Sequence, residues 1–218
     1  KAKNGEITTN RASIKMVYVD ATKGWLFIDE SNVGDLRQAV HTEATGGAVT
    51  TSGDYKIHTF TGDGCFVVSQ VGNNPALPSN PLAGPNTVSY MVVAGGGSGA
   101  GGETGGGGGG GGFREGRDIG PSYTASPLVA PGLTITAQTY PVTVGAGGPG
   151  PGNGTSGNGS NSIFSTITSA GGGGGANSTA GTGGSGGGGG RNAPGAGGSG
   201  NTPPVSPPQG NNGGNRHP

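Results

Sequence analysis

Apolar residues in this chain fall in short runs of period two, separated by long polar or glycine-only stretches. Residues 14–19 (IKMVYV) set Ile14, Met16 and Tyr18 against Lys15, Val17 and Val19, residues 20–24 (DATKG) carry turn chemistry, and residues 25–28 (WLFI) return. Alternation, a turn cluster and a second β-prone run predict an N-terminal β-hairpin. A lone hairpin is marginal in water, so it is expected to pair with further sheet, from upstream residues or from another copy of the chain. Trp25 is its expected core or interface anchor.

Further along, residues 31–47 read as a polar linker whose one helix-compatible span, residues 35–41, is too short to stand alone. Residues 55–60 (YKIHTF), the turn TGDG at 61–64 and residues 65–69 (CFVVS) predict a second hairpin, with Cys65 as an interior strand residue that behaves as a small buried hydrophobe. Phe60 and Phe66 are its expected structural aromatics, and His58 a strand residue. The Pro/Asn/Gly-rich residues 72–86 predict a long loop. Residues 87–93 (TVSYMVV) become apolar on both faces and so read as a central strand. Residues 113–133 read as a loop in which Arg114, Glu115, Arg117, Asp118 and Tyr123 concentrate. Residues 134–144 return to strand character, with Pro141 marking a strand start or an edge. Residues 162–168 (SIFSTIT) are the last expected strand, and the Pro pairs at 203–204 and 207–208 suggest a semi-rigid tail.

Three of these strands run without a break into glycine. VVAGGGSGAGGETGGGGGGGG covers residues 92–112, VTVGAGG covers 142–148, and ITSAGGGGG covers 167–175. A strand followed by a glycine span is thus used three times.

Composition changes the reading of those spans. With 55 Gly and 16 Pro in 218 residues and no strict Gly-X-Y period, the compositional default is disorder. Glycine also loses the most backbone entropy on ordering, so ordered tracts need dense compensating hydrogen bonds. One arrangement supplies them. Extended polyglycine helices of polyproline II type have three residues per turn and no internal bonds, so every peptide must bond sideways, and without Cβ atoms neighbours can approach closely enough to do so. The expected fold class is therefore all-β: short β-hairpins and a small β-sandwich-like domain joined to a packed polyglycine II region, with little or no helix. Gly95, Gly108, Gly145 and Gly173 are the expected structural glycines. The domain reading is residues 1–31 as a hairpin segment, 32–48 as a linker, 49–200 as the glycine-rich domain and 201–218 as a Pro/Asn/Gly-rich tail.

Charge and chemistry narrow the function. Lys plus Arg and Asp plus Glu are 11 each and charged residues make up 10%, which offers no basic patch for nucleic acid. No apolar run approaches the length of a membrane-spanning helix. A single Cys removes an intrachain disulfide framework and a Cys-based zinc site. A 28% hydrophobic, 5% aromatic content is thin for one conventional core, and self-association is a usual remedy. Glycine tracts match a phosphate-loop pattern trivially, and no G-K-[ST] follows one. No carboxylate pair, Ser/His/Asp set or metal spacing is visible, so neither an enzyme nor a cofactor is expected. The N-x-[ST] matches at Asn153, Asn158 and Asn177 follow from composition. A start at Lys1 without Met or a leader reads as a fragment or a processed chain.

The ordered series HTFTGDGCFVV, VSYMVVAGGGSGAGG, YPVTVGAGG and SIFSTITSAGGGGG resembles the glycine-rich domain of phage tail and tail-fibre proteins, closest to virion structural proteins of marine and cyanobacterial tailed phages and more distantly to polyglycine-sandwich tip adhesins. The resemblance covers about residues 49–200, and ASIKMVYVDATKGWLFID resembles a segment placed before such domains. It implies a non-enzymatic structural component of a virion appendage, whose N-terminal hairpin ends an upstream fibre domain. Expected partners are other copies of the chain in a homotrimer, other virion proteins, and a host cell-surface glycan or outer-membrane protein. In that reading attachment falls to the loops, with Arg114, Arg117 and Tyr123 as candidate binding residues. A self-assembling extracellular glycine-rich filament or cell-surface protein is the alternative, distinguished by open rather than closed symmetry.

Overall fold

The structure is a computed structural model that describes residues 14–22, 24–30, 41–53, 55–72, 86–102, 104–118, 124–150, 156–192 and 194–216. The chain divides into two compact units, Lys1–Val40 and His41–Pro218. The described residues are all-β, arranged in several small sheets, with no helix. Residues 31–40 and 73–85, which include most of the expected helical turn and of the Pro-rich loop, lie outside them.

In the first unit, β1 (Ile14–Asp20) and β2 (Gly24–Glu30) form the expected antiparallel hairpin, with Tyr18 opposite Trp25. The Thr22 N–H donates to Asp20 Oδ1 at 2.8 Å, the local bond by which Asp favours turns.

The second unit contains β3 (Glu43–Thr45), β4 (Ala48–Ser52), β5 (Tyr55–Thr59), β6 (Gly64–Gln70), β7 (Thr87–Val88), β8 (Tyr90–Val93), β9 (Phe113–Arg117), β10 (Ala130–Pro131), β11 (Leu133–Thr134), β12 (Thr139–Thr143), β13 (Ser162–Phe164) and β14 (Ile167–Ser169). The main sheet runs β14-β13-β12-β6-β3, and a smaller one runs β10-β9-β8. Opposite residues of an antiparallel pair share a face, so the Tyr140↔Phe66 and Thr139↔Val67 registers put Phe66, Val68, Tyr140 and Val142 on one side. There Phe66, Val68, Ile135 and Tyr140 are buried, with Phe60, Val88, Leu133 and Phe164 packed around them. Phe66 meets Phe164 edge-on at 5.9 Å and His58 edge-on at 5.0 Å, geometries that suit the ring quadrupoles. His58 also donates from Nδ1 to the Gly46 carbonyl at 2.8 Å. The Tyr140 hydroxyl accepts the Thr136 N–H at 2.7 Å, a tyrosine-corner device that pins the approach to β12.

Several sequence expectations change. The run 55–60 pairs with β4 through a turn at Gly53 (φ +56°), not with residues 65–69. β6 instead crosses into the main sheet, because Phe66 and Val68 are buried only beside β12 and β3. Cys65 is exposed rather than buried: it sits opposite Pro141, one residue out of phase with the core face. The run 87–93 is broken at Ser89 into β7 and β8, and β8 is an edge strand of its sheet. Pro141 lies inside β12, between two neighbours. It is tolerated there because β13 pairs only with Val142 and Thr143, which leaves that flank of β12 uncovered at Pro141. Residues 162–168 form the hairpin β13–β14, turning at Ser165 with φ +55°. Residues 113–117 are strand β9, not loop.

Candidate functional site

The three junctions hold as the sequence suggests: β8, β12 and β14 each pass directly into an extended glycine span. The span after β14, residues 170–176, lies at the centre, and residues 170–175 are all buried. Its N–H groups leave in rotation. Gly172 and Gly175 donate to Gly95 and Ser98, both at 2.9 Å; Gly173 and Ala176 donate to Ser185 and Gly188, at 2.9 and 3.2 Å. Gly171 and Gly174 donate to the side-chain amide oxygens of Asn161 and Asn158, at 2.9 and 2.7 Å. Its carbonyls follow the same count: Ala170, Gly173 and Ala176 accept from Gly112, Gly109 and Gly106, and Gly171 and Gly174 accept from Gly184 and Gly181. Each neighbour is met every third residue.

The same period recurs outward. Ala94, Gly97 and Ala100 donate to Gly112, Gly109 and Gly106, and Gly95 and Ser98 donate to Ser160 and Gly157. Gly186 and Gly189 donate to Asn211 and Gly214, and Gly213 and Arg216 donate to Gly198 and Gly195. Residues 209–216, expected as tail, are therefore a further bonded span. Side-chain amides stand in for backbone carbonyls here too, with Asn215 and Asn212 accepting from Gly197 and Gly200, both at 2.8 Å.

Close approach explains the residue type. A Cβ at Gly95, Gly108, Gly145 or Gly173 would come closer than 3.0 Å to a backbone carbonyl of Ala146, Gly97, Ser160 or Gly181, respectively. Gly107 and Gly110 face open space instead, and a Cβ at Gly96 or Gly99 would make only ordinary contacts at 3.6 and 3.7 Å. Along residues 105–112 glycine is thus required in two rows of three and optional in the third, whereas in the buried span 171–175 a Cβ would clash at every position.

Gln209 locks this body to the sheets. It is buried, its Oε1 accepts the Ala170 N–H at 2.8 Å, its Nε2 donates to Pro203 O at 3.0 Å, and its carbonyl accepts the Phe113 N–H at 2.8 Å. Ser169, fully buried, donates its hydroxyl to the Gly112 carbonyl. Asn201, at φ +49°, holds the 201–209 loop by accepting from the Val205 and Gln209 N–H groups.

The candidate binding residues do not converge. Arg114 and Arg117 are three apart on β9, hence on opposite faces of its pleat, opposite Val92 and Pro131 respectively. Glu115 between them is buried, and its Oε2 accepts the Ser126 N–H at 2.9 Å. Partial burial pushes the Tyr90 phenol above its usual value, against the pull of the Arg114 guanidinium. Tyr123 and the side chain of Trp25 lie outside the described residues. Phe66 is buried in the core beside Tyr140, and Phe60 packs against it.

A shallow hollow of about 120 Å3 opens between Ser156, Asn158, Gly174 and Thr179, well below the roughly 300–1,000 Å3 of small-molecule sites. Among the described residues no group of His, Cys, Asp and Glu is disposed to hold a metal. The residues missed from sequence are Asn158, Asn161, Asn212, Asn215 and Gln209; the readable signal was Asn at i and i+3 in NGSN and NGGN.

A family model described as "Glycine-rich domain" matches residues 69–216. The chain belongs to the glycine-rich domain family. No curated protein and no solved structure matches it. The matched region of this glycine-rich domain begins near the end of β6 and takes in all the lateral spans, the last of them included.

Proposed function

We propose that this glycine-rich domain is a non-enzymatic structural part of a phage tail fibre or other virion appendage, located on the particle. Its spans are polyproline II-type helices packed side by side as in polyglycine II. The observation that carries the reading is the three-residue rotation of bonds from residues 170–176 to their neighbours. Three residues per turn with no internal bonds is the geometry of such a helix, and lateral bonding along whole rows stiffens the bundle without any side-chain core. A body of this kind has almost no reactive groups to offer and resists bending, which suits rigid projection from a particle. The sequence resemblance supplies the virion context; other copies of the chain, other virion proteins and a host-surface glycan or outer-membrane protein are the partners it suggests.

Antibody raised against residues 41–218 tests this on purified particles of the source phage. Gold label on a tail appendage, with the chain detected by mass spectrometry of the particles, is the expected outcome. Absence of the chain from intact particles would sink the virion reading. Competition decides the attachment role: soluble domain that binds host cells and reduces infection is an adhesin, whereas assembled domain that does neither is a spacer.

A further inference from the structure

One face of the glycine body is left with its bonding rows open. In residues 105–112 the N–H groups of Gly107, Gly108, Gly110 and Gly111 have no partner among the described residues, and neither do the carbonyls of Gly108 and Gly111. In the adjoining span the N–H groups of Gly96 and Gly99 and the carbonyls of Gly97 and Ala100 are likewise unpartnered. Gly99, Gly107, Gly108 and Gly110 are exposed, and Gly107 and Gly110 have nothing within 4 Å of a Cβ position. The 94–100 span leaves β8 at Val93, which is 49% exposed, and Met91 two residues earlier is 69% exposed.

We propose that this face is where a second copy of the chain packs, span against span, in a two-fold pair. The open rows repeat every three residues, the spacing that already joins residues 94–100 to 106–112 within the chain, so the face continues an interface the molecule has built internally. It carries both donors and acceptors, as a self-complementary surface about a two-fold axis must. It offers little to any other class of partner. The one charged residue between positions 94 and 112 is Glu103, and the rows themselves bear no side chains. What can recognise bare peptide groups at this spacing is another glycine span of the same pitch, and the exposed Met91 and Val93 add apolar area on the strand that leads into the 94–100 span. Hydrogen bonds exchanged with water are worth only about 0.5–1.5 kcal/mol each, so a row of them and that apolar area are needed together. The logic is that of an unprotected sheet edge, transferred to a bundle.

The inference rests on the lateral packing proposed above and not on the virion role. Light scattering after size-exclusion of the full chain should give twice the chain mass. Gly110→Lys places a charged stem on the open face and should halve that mass, with an unchanged circular dichroism spectrum and a melting temperature that no longer rises with protein concentration. Gly62→Lys, on the turn between β5 and β6 with nothing within 4 Å, should leave the pair intact. A monomeric wild type at high concentration, or an assembly of any size that Gly110→Lys leaves intact, overturns the proposal. Should Gly110→Lys fail to fold, hydrogen exchange in the wild type decides: protection at residues 107–111 that rises with protein concentration supports the pairing, and fast exchange at every concentration overturns it. Absence of the chain from virions would leave either result standing.

Discussion

A Cβ at Gly109 would be driven into the carbonyl oxygens of Ser185 and Gly186, whereas the same atom at Gly110 would meet nothing within 4 Å. The two residues are neighbours, and neither has the positive φ that would itself demand glycine. Their difference is therefore one of approach between spans. Alanine at Gly109 must push a buried row apart and should cost about 1–3 kcal/mol, the range for overpacking a dense interior. Within the single chain, alanine at Gly110 should be neutral or stabilise by about 0.4–1 kcal/mol, since there it restricts only the unfolded state. Urea denaturation of both variants measures the contrast, and equal effects would remove the case for rows that require glycine. Gly108→Val belongs with Gly109, because its Cβ would meet the Gly97 carbonyl, and order should be lost across both spans.

Among the elements, the span 156–161 is the one whose side chains replace peptides toward the central span. Asn158 and Asn161 take two of the three N–H groups of the central span that point at no backbone carbonyl, the third, on Ala170, going to Gln209, and Asn158 Nδ2 also donates to Thr182 O at 3.4 Å. Gly174 is buried, so Asn158→Ala would strand its N–H at about 1–3 kcal/mol. Asn158→Asp keeps an acceptor and should retain most of the stability at neutral pH. The expected order in thermal melts is wild type, then Asp, then Ala; an Ala variant that melts with the wild type would show that water satisfies Gly174 as well as the amide does. This pairing was present in the sequence as NGSN, yet period-two and helical templates pass over a three-residue period. The strand-to-glycine junctions were legible because a change from β-branched residues to glycine is local. The partners of those strands were not. Residues 55–60 alternate equally well against residues 48–52 or 65–69, and the choice is made by Phe66 and Val68 seeking the core beside Tyr140, which lies more than 70 positions downstream. The candidate binding residues suffered the same way: Arg114 and Arg117 look clustered in sequence, and the strand pleat puts them on opposite faces.

At the scale of the whole molecule, the chain's last stretch reads as a tail by composition and works as part of the body. Residues 209–216 accept from Gly186 and Gly189 and donate to Gly195 and Gly198, while Gln209 holds the Ala170 N–H at the root of the central span. Residues 1–40, in contrast, form a compact unit of their own. Two truncations should therefore behave in opposite ways. Removing residues 1–40 should leave a cooperative melt close to that of the full chain. Removing residues 201–218 takes the partners of peptides on spans 183–190 and 195–200 and uncovers Ala170, at about 0.5–1.5 kcal/mol for each bond exchanged for water, in addition to the lost packing of the span. Domains of this size hold only about 5–15 kcal/mol in all, so a handful of such losses should abolish the cooperative transition. Calorimetry of the two truncated chains checks this. Retention of a sharp melt without residues 201–218 would mean that the central rows are self-sufficient and the final span merely decorates them.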